Sequence, residues 1–123
     1  MRIFHIIAPD VWAEAVKSGE YRPASVSTEG FVHFSFADQV AGTANLAYRD
    51  EPDLVVVEVE SDRVDAELKV EDSYRGGTEF PHVYGAIPPE SAVAIHPLRR
   101  ATDGNWTFSV TSDAAAAPAS PDR

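Results

Sequence analysis

The chain contains no cysteine, which removes disulfides, thiolate metal sites and cysteine nucleophiles and leaves His, Asp and Glu as the strong metal ligands. A thiol-free chain suits a reducing cytoplasm, and a cytoplasmic location is expected. Long apolar runs are missing too: nothing approaches the ~20 apolar residues of a membrane span. The opening run, residues 3–7, is short, is interrupted by His5 and meets Pro9 and Asp10, so it does not read as a signal peptide. A soluble protein follows. Basic residues are scarce, with 10 Lys and Arg against 20 Asp and Glu and a formal charge of −10. Duplex nucleic acid is bound largely by neutralising phosphates, so it is a poor partner for so acidic a chain. A small-molecule ligand, anionic if a local basic pocket exists, stays open. There is no internal repeat and no sustained heptad.

What is present suffices for a core. Hydrophobic residues make up 44% of 123 residues, which fits one globular domain. Residues 2–7 read as a buried strand, and Pro9 opens a helix in which Trp12, Ala15 and Val16 share a face before Gly19 stops it. Residues 21–30, rich in turn formers, read as a loop into a second strand at 31–35. Val40, Thr43, Ala44, Ala47 and Tyr48 recur at helical spacing and predict a second helix over 37–48, with Asp38 near its positive end. The β-branched run 54–60 predicts a central strand buried on both faces. A weaker strand is expected at 66–71, a loop through Gly76-Gly77, and short strands at 83–84, 92–96 and 106–110. The sum is a single α+β domain over 1–112, two helices packed on a small split or strongly bent mixed or antiparallel sheet. Residues 113–123, with four successive alanines and two prolines, read as a disordered tail.

Three histidines stand out. Strand periodicity puts His5 on the face of Ile3 and Ile7, opposite Phe4 and Ile6, and His33 on the face of Phe31 and Ser35. A buried imidazole must find a partner or cost about 1–3 kcal/mol, and a lone one is usually a satisfied core residue. Two of them, with His82 held between Pro81 and Gly85 beside Tyr84, point instead to a functional cleft. His96 falls outside this pattern and reads as structural. A zinc centre of three histidines is chemically feasible, yet His5, His33 and His82 lack any diagnostic spacing, so no metal is assigned. Glu71 and Glu79 flank the glycine loop, where either could serve as a general base or hold a ribose hydroxyl. Ser35 could bind phosphate at a helix start, or merely cap that helix. Arg22 and Arg75 are the loop arginines able to hold a phosphate.

Taken together, residues 3–6, the Trp12 helix ending at Gly19, residues 30–35 with Gln39, residues 54–59, Glu71-Asp72-Ser73 and Phe80-Pro81-His82-Val83-Tyr84-Gly85 resemble a bacterial domain-of-unknown-function family, number nine-five-two. The likeness covers about residues 2–98. It implies a fold similar to the ADP-ribosyltransferase superfamily, with an NAD-type cleft in a split sheet. His5 then matches the first-strand ribose contact, and Ser35 or His33 the second-strand position. The acidic position falls near His82 and Tyr84, with Glu71 or Glu79 as substitutes. The resemblance thus implies NAD as cofactor, with His5, Ser35, Tyr84 and Arg75 binding it and His5, His33, His82 and Glu71 in catalytic roles. ADP-ribosyl transfer, or NAD-dependent removal of a phosphate, would be the reaction. A non-catalytic module for a small molecule or peptide, and a metal-dependent hydrolase, are the competing readings.

Overall fold

The computed structural model describes residues 1–73 and 75–110, together with the backbone of Ala115–Ala116. In chain order its elements are β1 (Arg2–Ile7), α1 (Pro9–Ser18), α2 (Ala24–Thr28), β2 (Val32–His33), α3 (Val40–Ala47), β3 (Val55–Glu60), β4 (Glu67–Glu71), β5 (Phe80–Tyr84), β6 (Ala92–Pro97), β7 (Arg99–Arg100), β8 (Trp106–Thr107) and β9 (Ala115–Ala116). Short 3₁₀ turns at Ala37–Gln39, Ser61–Arg63 and Pro89–Ser91 join some of them.

Two antiparallel sheets carry the architecture, one ordered β1-β3-β6-β9 and the other β2-β5-β4, with a small β7-β8 hairpin beside them. The β-branched strand β3 lies inside the larger sheet and is buried on both faces, as its sequence predicts. Its alternation divides the core. Val57 and Val59 join Ile3 and Ile7 against Trp12 and Ala15 of α1 and against Val32 and Val83 of the smaller sheet. Val56 joins Phe4 and Ile6 against Val40 and Ala44 of α3 and against Leu98 and Trp106. The two faces of β1 therefore separate as their period-two pattern requires. Burying these side chains supplies the main driving force for folding, at about 25 cal/mol per Å² of apolar surface.

The sheets meet through one short segment. Val32 and His33 pair with Val83 and His82 of β5, after which Phe34 N–H donates to the Pro81 carbonyl and Ser35 exchanges two backbone hydrogen bonds with Phe4 of β1, at 2.9 and 2.7 Å. Residues 32–35 thus leave one sheet and join the other, which splits the sheet at this point.

Several boundaries differ from expectation. There are three described helices rather than two, because Ala24–Thr28 forms one helical turn behind Pro23, too short and polar to show an apolar period. The strand expected at 83–84 starts at Phe80, since the Pro81 carbonyl still accepts the bond from Phe34 although proline itself cannot donate. Strand pairing at 31–35 is confined to Val32–His33 plus the bridge at Ser35, and the strand at 106–110 to Trp106–Thr107. Ser35 does not cap the following turn: Phe36 occupies the cap position. Ala115–Ala116, inside the segment read as a disordered tail, pairs with Ala94 and Ile95 at the sheet edge; the rest of 113–123 lies outside the described residues. By contrast Gly19 ends α1 as expected, at φ 87° with its N–H on the Ala15 carbonyl. His96 is structural as read, its Nε2 lying 2.6 Å from the buried Glu58, which also receives Arg2 at 2.8 Å.

A histidine-lined cavity at the split between two sheets

His5 projects from β1 towards the rings of Phe34 and Tyr21. Its Nδ1 lies 2.6 Å from the His33 carbonyl oxygen, which can only accept, so Nδ1 carries the proton. Nε2 is then the acceptor for the Tyr21 hydroxyl at 2.7 Å. Burial pushes the His5 pKa down to about 4, and burial pushes the Tyr21 phenol up to about 12. At neutral pH His5 is an uncharged imidazole with both nitrogens engaged, which is the bland reading of a buried histidine. His5 thus stands in the wall of the site with both ring nitrogens already hydrogen-bonded.

His33 and His82 face each other across the β2–β5 ladder, their rings 5.3 Å apart. Phe31 stacks on His82 at 4.1 Å and 15° and touches His33 at 4.8 Å. Glu29, four residues before His33, places Oε1 2.9 Å from its Nε2.

His82 is fully buried, and its surroundings come from β4. Antiparallel pairing sets Glu71 opposite Phe80 and Lys69 opposite His82, so Glu71, His82 and Tyr84 share one sheet face. Glu71 Oε1 lies 3.1 Å from His82 Nδ1, and the same oxygen accepts the hydroxyl hydrogen bond of Tyr84. Ser73 Oγ lies 3.4 Å from the same ring nitrogen. The Tyr84 bond, then the His82 bond, holds the Glu71 carboxyl below its usual range; that bond also raises Tyr84 to about 12. For His82 burial dominates and lowers the pKa, with the Glu71 hydrogen bond working against it. A neutral imidazole whose Nδ1–H is fixed by a carboxylate has a defined tautomer, the arrangement proton-transferring histidines use.

His5, His33 and His82 all line one cavity of about 430 Å³, within the range of small-molecule sites. Phe4, Ile6, Phe34 and Ser35 contribute from the split, and Thr43, Leu46 and Ala47 from α3. The loop after β4 closes another side with Asp72, Gly76 and Thr78. Asp72 fixes that loop by accepting from the Gly76 and Gly77 amides at 3.0 and 2.8 Å. A second cavity of about 410 Å³ shares His5, Ile6, His33 and Tyr48 with the first and runs on to Tyr21, Ser25 and Glu29.

The sequence-predicted residues thus divide. His5, His33, His82 and Ser35 line the cavity, while Glu71 and Tyr84 hold His82 without lining it. Arg75 sits on the exposed loop at φ 56° and Glu79 is tied to Gln39 only through its backbone carbonyl; neither lines the cavity. Arg22 pairs with Glu20 at 3.3 Å on the surface. His5 Nδ1 is on a carbonyl, His33 Nε2 by Glu29 and His82 Nδ1 by Glu71, and among the described residues no three metal-binding side chains gather. Tyr21, Glu29, Tyr48, Asp72 and the α3 residues were missed. Glu29 four residues before His33, and Asp72 before a Gly-Gly pair, were the available signals.

These features define a small α+β domain with a ligand-sized, histidine-lined cavity where its antiparallel sheet splits. The chain belongs to the family described as "Protein of unknown function (DUF952)", whose model matches residues 6–95. It is similar to protein CC0527 of Caulobacter crescentus: the crystal structure is 30% identical, with a TM-score of 0.76 over 87% of this chain and 94% of that one. The solution NMR structure of CC0527, also 30% identical, has a TM-score of 0.72 over 85% and 90%. No curated protein matches the chain.

Proposed function

We propose that this protein is a small-molecule-binding domain whose ligand occupies the 430 Å³ cavity against His33 and His82. The observation that carries this reading is the joint lining of one cavity by three histidines from different strands. The walls are mainly apolar, so burial of an apolar ligand body supplies affinity, and the imidazoles and Ser35 supply orientation. Glu71, held in turn by Tyr84, acts as a positioning residue that fixes His82 in one tautomer, while burial keeps the ring neutral, suited to exchanging a hydrogen bond or proton with the ligand.

NAD is the second reading. Supporting it, His5, His33 and Ser35 line the cavity, and strand pairing brings Glu71 to His82 and Tyr84, where the ADP-ribosyltransferase resemblance seeks an acidic residue. Against it, none of the described lining residues is Lys or Arg, although a buried diphosphate needs cationic partners.

Thermal denaturation with indole, nicotinamide or NAD separates the readings. Ala47 is exposed at the end of α3 yet lines the cavity, so Ala47→Trp fills the space while sparing the core. Indole should raise Tm in the parent and not in Ala47→Trp. Stabilisation by NAD with release of nicotinamide would establish the second reading instead, and the absence of stabilisation by all three ligands would defeat both.

A further inference from the structure

The charge of the cavity walls narrows the ligand further, on the reading that this cavity is a small-molecule site. Each compartment contributes a carboxylate, Asp72 to the larger and Glu29 to the smaller. No Lys or Arg lines either one among the described residues. The nearby cations are committed elsewhere or exposed: Lys69 lies over the Tyr84 ring at 4.7 Å and beside Glu67, Arg22 is paired with Glu20, and Arg75 is on the outer loop. His5 is neutral, as its buried hydrogen bonds require.

Aromatic rings stand at the junction as well. Tyr48 is shared by the two compartments; Phe34 and Phe80 line the larger one and Tyr21 the smaller. Aromatic faces with a carboxylate nearby are the surroundings that favour an organic ammonium group, through the ring quadrupole and direct charge attraction. A chain charge of −10 adds a field of the same sign.

We propose that the two compartments form one site for a small amphipathic cation, with an apolar or aromatic body in the 430 Å³ space and an amino head in the 410 Å³ space beside Glu29. Glu29 suits the head because it is surface-accessible and its Oε1 already accepts from the edge of the site at His33. Asp72 is less suited, its two oxygens being held by loop amides.

The test uses three ligands of one body and different heads: phenethylamine, phenethyl alcohol and phenylacetate. Each is titrated into the full chain and into Glu29→Gln near neutral pH, with isothermal calorimetry as readout. The amine should bind about threefold tighter than the alcohol, the size of effect one accessible charge contact gives, and phenylacetate weakest. Glu29→Gln should bring the amine down to the level of the alcohol in the same variant, with its thermal unfolding transition showing that the variant is folded. Should phenylacetate match the amine, or the amine keep its advantage in Glu29→Gln, with the alcohol still bound, the charge assignment is overturned while the cavity reading stands. If none of the three binds, both are overturned together.

Discussion

Glu71 and His5 show how differently two groups in one small domain can be set by their neighbours. Glu71 is half-buried and acts through a single oxygen on both Tyr84 and His82, so replacing it should be felt first in the ionisation of Tyr84. In Glu71→Gln the Tyr84 pKa should fall from about 12 towards its ordinary value of 10.0, as followed by NMR of ¹³C-labelled tyrosine; a Tyr84 that titrates unchanged contradicts the shared carboxylate. His5 is governed by burial. Its folded value of about 4 lies below its unfolded value of 6.5, so as pH falls the unfolded chain takes up the proton first. Stability from the neutral ring is therefore complete above pH 6.5 and drains away towards pH 4, by roughly 3 kcal/mol, and the lowered pKa of His82 adds to the slope in the same direction. Urea unfolding across that window should show His5→Gln losing stability less steeply than the parent. Equal slopes would mean that His5 is not held neutral.

Where two strands or a strand and a helix meet, glycines give the sharpest expectations. A Cβ on Gly85 would lie 2.7 Å from Ala66 Cβ, so Gly85→Ala must push the chain before β4 away from the end of β5, at about 1–3 kcal/mol. Gly42 lies inside α3 with nothing near its missing Cβ, and Gly42→Ala should stabilise by about 0.5–1 kcal/mol. Chemical denaturation of the two variants checks both signs. Such elements differ in how far their sequence announces them. The continuous Val55–Val57 run and the helical period of Trp12, Ala15 and Val16 with its Gly19 stop are clear signals, and both elements stand where these put them. The turn Ala24–Thr28 carries none, because no side chain in it is buried. His33 and His82 could be picked out as residue types in a strand pattern, but that they face each other depends on β2–β5 register, which is a long-range property. The contribution of Thr43, Leu46 and Ala47 was beyond reach for the same reason: small or exposed residues on a helix say nothing about which cavity they border.

Taken whole, the molecule is a sheet that divides its own core. The strand that crosses from one sheet to the other, residues 32–35, opens the gap lined by imidazoles. Trp106 and Arg100 keep the far wall in place: Trp106 Nε1 donates to the Tyr48 carbonyl at 3.0 Å, and Arg100 donates to the carbonyls of Arg49 and Glu51 at 2.8 and 2.6 Å, just after α3 ends. His96 lines neither compartment; it is held by Glu58 and packs by Phe108 and, at 6.1 Å, by Phe4, and it serves as the comparison. The most direct measurement is to follow the ¹³C–¹H ring resonances of all four histidines while indole is titrated in. Signals of His5, His33 and His82 should move along one saturating curve with a single Kd, His96 should stay still, and Ala47→Trp should abolish the movement. Three histidines that respond with separate curves or not at all, or a His96 that moves with them, would contradict a common cavity.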